Sequence, residues 1–392
     1  MIKQFIQSIP KPVWLISANH MSVDLSAGAF YIVLPYIKAK FGLNYLEITT
    51  IVLVNSISAS ILQPLLGYIC DKKPRAWLMP AGCLLTASTL PLILFSPYYW
   101  MVCALTALNG LGSASFHPLG AKTANMVTAY NRKGRSLSIF SLGGSFGVMA
   151  GSVFISLLME AGVGWHIWIY SLPSIVIAIS MFRIIPSLPP YPPSRKREDG
   201  KSSLADVLKL SMLAFFGMLI ARAIVMNGLS TFVPLYYISH LGGNQLTAGF
   251  LLSFFMGAAV IGTLLGGMLS DKYGSKRVML VSILPVTPLI FIFERSSHAG
   301  IFITLALAGI LLAATNTSSL ALIQKLLPDN LGMASGINLG LSVGLSAIGV
   351  IALGNMADIK GLELVFTILA ILPIFGFVMT LFIREPSANK QQ

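Results

Sequence analysis

Two residues near the N-terminus have the types and the spacing for proton chemistry in apolar surroundings. Asp24 lies within a long apolar run, and His20 precedes it by four positions, so both side chains would share one face of a helix. An ionised carboxylate there is costly, and we expect it to be paired, or protonated part of the time. Asp24 and His20 are therefore candidates for proton coupling. A static pair that holds two helices together is the alternative.

Arg222 is the one basic residue deep within an apolar run. A guanidinium binds phosphonate or carboxylate groups through parallel hydrogen bonds, which suits recognition of an anionic compound. Other polar side chains inside apolar runs are further candidates for substrate binding: His117, Gln63, Asn109 and Asn227. For each of these residues, and for Arg222, a role in holding helices together is the alternative.

The remaining sequence offers little for catalysis or metal binding. The three cysteines, Cys70, Cys83 and Cys103, have neither paired spacing nor a matching set of histidines, so no disulfide framework and no zinc site is predicted. The sequence contains no HExxH motif, and no second acid accompanies Asp24 inside an apolar run. We therefore predict no metal, no cofactor and no enzymatic activity. An intramembrane enzyme that uses His117 or His20 is the weakest alternative.

The elements that must position these residues are membrane-spanning helices. Of the 392 residues, 55% are hydrophobic and only 10% are charged, and the mean hydropathy is +0.81. These values lie outside the range of soluble domains. Apolar runs of about 20 residues recur along the chain, and each can cross a hydrocarbon core as a helix. The formal charge of +13 comes from short loops, so the expected partner is a lipid bilayer and not a nucleic acid.

The apolar runs predict an all-α membrane protein with twelve transmembrane helices in two six-helix bundles. The first six helices are predicted at 13–37, 47–70, 76–96, 98–121, 135–159 and 164–186. The second six are predicted at 205–238, 245–269, 277–294, 299–326, 331–357 and 362–383. The chain thus divides into an N-terminal half, 1–186, a linker rich in proline, serine and charge, 187–203, and a C-terminal half, 204–392.

The distribution of basic residues predicts the orientation. Of the 26 Lys and Arg residues, Arg222 lies inside a helix and 21 fall in loops on one side. The other four, on the opposite side, are Lys38, Lys40, Arg295 and Lys360. The positive-inside rule therefore places both termini in the cytoplasm of a bacterial cell, with the chain in the inner membrane.

The two halves repeat each other at an offset of about 200 residues, as in many transporters. The matched positions are Gly67, Asp71 and Lys72 with Gly267, Asp271 and Lys272; Gly42, Asn44 and Leu46 with Gly242, Asn244 and Leu246; and, more weakly, the segments from Gly134 and Gly332. Asp24 lies eleven residues before Pro35, and Arg222 lies twelve before Pro234. Both side chains should therefore lie about 17 Å from equivalent helix ends, at one depth in the membrane.

The repeated loop resembles the signature of the major facilitator superfamily, in which a glycine is followed four residues later by an aspartate and then by basic residues. The glycine lets helices approach, and the aspartate can accept from a helix N-terminus or pair with arginine. Pro74 stands where a glycine is usual in the first copy. The resemblance implies a conformational switch at Gly67, Asp71, Arg75, Gly267, Asp271, Gly274, Lys276 and Arg277.

Longer stretches resemble the fosmidomycin-resistance branch of bacterial drug exporters. These stretches are His20 with Asp24, LQPLLGYICDK from Leu62, GLGSASFHP from Gly110 and SIFSLGGSFG from Ser138. Leu119 and Ser152 depart from the pattern of this branch, which usually has an acid and a proline there.

The resemblance implies the major facilitator fold and a monomer that exports small polar or anionic compounds, or drugs, in exchange for protons. It also implies that the first and seventh helices line one cavity, so that Asp24 and Arg222 can pair. A glycine motif in the fifth helix, made of Gly143, Gly144, Gly147 and Gly151, is assigned to close helix packing. The resemblance implies that the same motif seals the protein against proton leak. A symporter that imports a nutrient shares this fold and stays an open alternative.

Overall fold

Long apolar segments, separated by glycine, proline and charged residues, fold into helices throughout the computed structural model. It describes residues 9–72, 75–128, 133–187, 210–296, 299–326, 338 and 342–385. Within these ranges the chain is all-helical and supplies twelve membrane-spanning segments, which confirms the predicted fold class.

The first six segments are five long helices followed by a shorter composite one. They are α1 (Lys11–Phe41), α2 (Tyr45–Lys72), α3 (Leu78–Phe95), α4 (Tyr99–Met126), α5 (Lys133–Glu160), and a 3₁₀ helix (Trp165–Ser171) that continues into α6 (Leu172–Ile184). A final 3₁₀ turn covers Ile185–Ser187. The predicted linker otherwise lies outside the described residues, so the division of the chain at 187–203 stays a prediction.

The second six segments contain one broken helix. They are α7 (Leu210–Ser239), α8 (Gln245–Tyr273), α9 (Ser275–Ile283) with α10 (Val286–Arg295), α11 (Ala299–Leu326), α12 (Ser342–Lys360) and α13 (Leu362–Phe382). The span predicted at 277–294 is present as Ser275–Arg295, but Pro285 divides it into two helices. Proline has no N–H to donate and its ring clashes with the preceding turn, so α9 ends at Ile283 and α10 restarts after the proline. Most of 331–341, which the prediction gave to the eleventh helix, lies outside the described residues.

The described residues pack as two compact units. The described residues within Met1–Leu43, Thr50–Arg195 and Pro234–Ser253 form unit 1. Those within Asn44–Thr49, Lys196–Val233 and Phe254–Gln392 form unit 2. Each unit therefore consists mainly of one half of the chain, together with a short segment from the other half. The first turn of α2 belongs to unit 2, and the junction of α7 with α8 belongs to unit 1.

Two of the repeated sequence positions have the same backbone role in both halves. Gly42 and Gly242 adopt left-handed conformations, with φ of 63° and 65°. A side chain is disfavoured in this conformation, which explains glycine at both helix ends. Two residues later, the Asn44 side chain accepts from the Glu47 N–H and the Asn244 side chain accepts from the Thr247 N–H, each at 2.8 Å. Both asparagines therefore cap the helix that follows.

Ten spans are long and apolar enough, by length and composition, to cross a membrane. They include every described span except α1 and α4. These two helices have 31 and 28 residues, so they are long enough, but polar residues lower their hydropathy. The polar residues that lower it include the candidate proton site, since His20 and Asp24 lie on α1 and His117 lies on α4.

Glycines allow α1 and α5 to pack with their backbones in direct approach. A Cβ atom at Gly143, Gly147 or Gly151 would overlap the α1 backbone carbonyl oxygens of Ser17, Met21 and Leu25, respectively. From the opposite side, a Cβ at Gly28 would overlap the carbonyl oxygen of Val148. This small-residue contact brings the α5 backbone within reach of the polar side chains of α1.

Candidate functional site

Two histidine side chains, one from each of two helices of unit 1, lie beside one carboxylate. Asp24 Oδ2 lies 3.1 Å from His20 Nε2, one turn earlier on α1. Asp24 Oδ1 lies 3.4 Å from His117 Nε2 on α4. His20 is 8% exposed, and only 15% of the Asp24 side chain and 26% of the His117 side chain are accessible. We refer to His20, Asp24 and His117 as the triad.

The α5 backbone and two aromatic rings orient the His20 ring. His20 Nδ1 lies 2.7 Å from the carbonyl oxygen of Phe140. The Phe140 ring stacks on the imidazole with a centroid separation of 4.1 Å and an interplanar angle of 21°. Phe116 packs on the same imidazole at 5.4 Å. The hydrogen bond and the stacking together direct Nε2 towards Asp24.

His117 is oriented within its own helix. Its Nε2 lies 3.0 Å from the hydroxyl of Ser113, one turn earlier on α4. Its ring meets that of His20 edge to face, at a centroid separation of 5.1 Å. The sequence assigned His117 to substrate binding, with a structural hydrogen bond as the alternative. The structure shows a hydrogen bond to Ser113 and also brings His117 to Asp24, and its role in substrate binding stays a prediction.

The hydrogen-bond partners limit where protons can be in the triad. A carbonyl oxygen only accepts, so His20 Nδ1 must carry a proton to bond Phe140. A neutral imidazole then presents a bare lone pair at Nε2, and a lone pair repels a carboxylate oxygen. The 3.1 Å contact between Nε2 and Oδ2 therefore requires a second proton, on the histidine or on the carboxyl group.

The triad also has a geometry that one cation could satisfy. Its three donor atoms lie within 4.8 Å of one another. His20 Nε2 and Asp24 Oδ2 already require a proton between them, and His117 Nε2 already bonds the Ser113 hydroxyl, so a proton is the simpler occupant.

Arg222 lies in unit 2, on α7, and it is 6% exposed. Its Nε has no hydrogen-bond partner among the described residues. A buried guanidinium is costly unless a negative group compensates it. The Asp24 carboxylate is engaged by two imidazoles of its own unit, and its pairing with Arg222 stays a prediction.

The remaining candidates for substrate binding differ in their surroundings. Asn109 is 4% exposed, and its amide donates to Thr86 and Thr89 of α3 at 3.2 and 2.9 Å. These contacts favour the helix-bridging alternative for Asn109. The Asn227 amide donates to Ser346, which joins α7 to α12. Gln63 is partly buried within α2.

The second copy of the loop signature is held by a residue that the sequence analysis did not single out. Gly274 has φ of 89° and precedes α9. The Glu385 carboxylate, three residues after α13, accepts hydrogen bonds from the backbone N–H groups of Ser275 and Lys276 at 2.9 and 3.0 Å. Asp271, which was expected to accept from a helix N-terminus, is exposed. Glu385 performs that role at α9, and its position beyond the last apolar run gave no signal in the sequence.

The other switch candidates are only partly described. Lys276 Nζ donates to the carbonyl oxygen of Leu381 at 2.8 Å, which ties the same loop to the end of α13. Arg277 and Arg75 are exposed, and Gly67 and Gly267 lie within helices. The Asp71 side chain lies outside the described residues, so the first copy of the switch stays a prediction.

Comparison with known proteins places this architecture in one family. The sequence profile of the Major Facilitator Superfamily matches residues 16–260 and 214–392. The fosmidomycin resistance protein of Escherichia coli is 30% identical over 383 residues, covering 94% of this chain and 92% of its own length. The uncharacterised MFS-type transporter YfnC of Bacillus subtilis is 27% identical over 375 residues, covering 93% and 90%.

Solved structures share the fold at low sequence identity. A bacterial homologue of the human lysosomal transporter Spinster, in an inward-facing and occupied conformation, matches with a TM-score of 0.75 and 15% identity. The match covers 94% of this chain and 95% of that one. The nucleoside transporter NupG matches with a TM-score of 0.73 and 15% identity, covering 95% and 99%.

Proposed function

The chain belongs to the major facilitator superfamily, and we propose that this multi-pass membrane transporter is a proton-coupled antiporter that exports small polar or anionic compounds, or drugs, by alternating access. The observation that carries the proposal is the triad, because its hydrogen bonds require one proton beyond the one on His20 Nδ1. Asp24 and His20 exchange that proton, and His117 stabilises the carboxylate when the proton leaves.

The buried guanidinium of Arg222 supports the proposal that the substrate is anionic or polar. Arg222 is nearly inaccessible, and no described residue accepts a hydrogen bond from its Nε, so a ligand that brings a carboxylate or phosphonate would supply the missing partner. Proton and substrate then act in opposition: the substrate engages Arg222, and protonation of Asp24 favours its release. Asn227, on the same helix as Arg222, contributes a polar contact to the same substrate in this scheme.

The direction of transport is supported by the relative in Escherichia coli, whose name is that of a resistance protein. Resistance fits export from the cytoplasm. The distribution of Lys and Arg supports cytoplasmic termini in a bacterial inner membrane. The glycines and charged residues of the two loop copies then lie on the cytoplasmic side, where they make and break contacts as a monomer alternates between its two states.

The test measures export in everted membrane vesicles, with a panel of phosphonate and carboxylate compounds added and the internal pH followed by a dye. The variants are Asp24→Asn, which removes the titrating group at constant shape, and Arg222→Lys and Arg222→Ala, which separate charge from guanidinium geometry. Glu160→Gln and Arg295→Ala, at exposed positions outside the proposed site, serve as matched controls.

We expect the wild type to release protons from acidified vesicles when a substrate is added. Asp24→Asn should abolish this proton movement, and Arg222→Ala should abolish the substrate response. Unchanged coupling between substrate and proton movement in both variants would contradict the proposal. Uptake into intact cells that an uncoupler abolishes would instead support the symporter alternative, whereas lower accumulation that an uncoupler reverses supports export.

A further inference from the structure

Helix α5 contributes two features to the triad, a backbone carbonyl and a missing side chain. The Phe140 carbonyl oxygen accepts from His20 Nδ1 at 2.7 Å. One turn later, a Cβ atom at Gly144 would lie 2.5 Å from His20 Nε2 and 2.6 Å from Asp24 Oδ2. The other glycines of the motif differ, because added Cβ atoms at Gly143, Gly147 and Gly151 would meet the α1 backbone. Gly144 alone among them faces the reacting atoms.

We propose that α5 couples the proton content of the His20–Asp24 pair to its own packing against α1, with the Phe140 carbonyl oxygen and Gly144 as the positioning groups. The inference rests on the proposed proton-coupled function and names the helix that performs the coupling. It assigns Gly144 a role beyond helix packing.

The coupling follows from counting protons in two arrangements. With α5 packed, Nδ1 holds one proton for Phe140, and the Nε2 to Oδ2 contact holds a second. If α5 withdraws, Nδ1 loses its acceptor, and the ring can keep its hydrogen bond to Asp24 with a single proton on Nε2. The Nδ1 proton then passes to water as its N–H bond breaks. One proton therefore leaves for each withdrawal of α5, and the carboxylate stays hydrogen-bonded throughout.

Among the described residues around His20, the charged or titratable groups come from α1 and α4, and α5 contributes only neutral groups. The titratable groups that face its ring from the helices packed against it are Asp24 of α1 and His117 of α4. The described part of α5 presents a carbonyl oxygen, an aromatic ring and a glycine there, none of which carries charge. The position of α5 therefore acts on the tautomer of His20 and not on its electrostatic partners.

Solid-state NMR of the full-length protein in lipid bilayers tests this coupling. Protein labelled with ¹⁵N-histidine and with ¹³C at the phenylalanine carbonyl reports both the His20 tautomer and the dipolar coupling between Nδ1 and the Phe140 carbonyl carbon. The His20 signals are identified by their loss in His20→Gln. In the wild type, we expect a strong dipolar coupling between His20 Nδ1 and the Phe140 carbonyl carbon at low pH, and we expect it to weaken as the second proton leaves.

The variant Gly144→Ala supplies the second measurement. Its added methyl group crowds the shared-proton contact, so we expect the midpoint of His20 protonation to fall by about one pH unit, a tenfold loss of proton affinity. The control is Gly309→Ala in unit 2, where the added Cβ would meet the carbonyl oxygen of Phe255 and should leave the midpoint unchanged.

An equal midpoint in Gly144→Ala and the wild type, or a dipolar coupling that does not change with pH, would overturn the role of α5. The pH dependence of the dipolar coupling is measured on the wild-type protein. It therefore decides the question even if Gly144→Ala does not fold. The proposed function fails separately: if export does not respond to a proton gradient while the His20 titration still follows Gly144, the antiport proposal falls and the α5 coupling stands.

Discussion

His117 Nε2 lies 3.4 Å from Asp24 Oδ1, and this contact joins α4 to α1 inside unit 1. It leaves both oxygens of a largely buried carboxylate with an imidazole neighbour. When the proton shared with His20 leaves, the Asp24 carboxylate still has the His117 imidazole beside it. The carboxylate can therefore lose and regain a proton without being left as an uncompensated charge in apolar surroundings. The arrangement leads to a direct prediction for His117.

Replacing His117 with alanine should slow proton-coupled export by about tenfold, because the largely buried Asp24 carboxylate would lose one of its two imidazole neighbours, and a buried acceptor left without a partner costs about 1–3 kcal/mol. His117→Gln keeps an N–H donor near Oδ1 and should retain a larger share of the rate. Initial export rates in proteoliposomes across a pH series provide the measurement. His240→Gln, at an exposed position, is the control. Equal rates for the wild type and His117→Ala would exclude the contact from the mechanism.

Gly147→Ala should destabilise unit 1 by about 1–3 kcal/mol, the usual cost of forcing a methyl group into a well-packed interface. The added Cβ overlaps the Met21 carbonyl oxygen, so α5 must move away from α1. Gly267→Ala is the matched control, since its added Cβ would meet no atom closer than Thr317 Cγ2 at 3.8 Å. Denaturant midpoints in detergent should separate the two variants, and coincident midpoints would contradict the close packing of α1 and α5.

The sequence predicted the fold well because hydropathy and breaker residues act locally. Apolar length predicted the spans, and Gly42 with Gly242 correctly indicated equivalent helix ends. The break at Pro285 was missed, because α9 and α10 together have the apolar length of one span. Proline inside a helix need not break it, as Pro35 in α1 shows, so the sequence alone does not distinguish the two cases.

The site was predicted only where its residues are neighbours in sequence. His20 and Asp24 were found because a spacing of four places them on one helical face. His117 reaches the same carboxylate through the packing of α4 on α1, which no local pattern reveals. The contribution of α5 was missed for a stronger reason: a backbone carbonyl and an absent side chain have no distinctive residue type. One available signal was the low hydropathy of α1 and α4, since polar residues within a span indicate function.

Asp358 accepts hydrogen bonds from the backbone N–H groups of Tyr45 and Leu46, at 2.7 and 2.8 Å, and so caps the start of α2 within unit 2. Loss of such a cap costs about 1 kcal/mol. In Asp358→Ala we therefore expect amide exchange at Tyr45 and Leu46 to accelerate about fivefold, as measured by hydrogen–deuterium exchange. The Thr247 amide is an internal control, because its acceptor, Asn244, is unchanged. Unaltered exchange at the first turn of α2 would show that water replaces the cap without cost.

Glu385 should make the stability of unit 2 depend on pH. Burial by itself would raise the pKa of this carboxyl group, but hydrogen bonds from the backbone N–H groups of Lys276 and Ser275, and from Lys325, outweigh burial and hold the pKa below its ordinary value of 4.5. A group whose pKa is lower in the folded state stabilises the fold above its unfolded pKa and loses that contribution as pH falls through the folded value.

The wild type should therefore be more stable than Glu385→Gln from pH 7 down to about pH 5, and the difference should shrink as the pH falls below the ordinary pKa of 4.5. Denaturant midpoints at a series of pH values measure this difference. Glu160→Gln controls for the loss of an exposed carboxylate and should follow the wild type throughout. Parallel curves for the wild type and Glu385→Gln would mean that the carboxylate does not hold the start of α9. A difference that closes only in the acid range shows that the charge of Glu385 ties the end of α13 to the repeated loop.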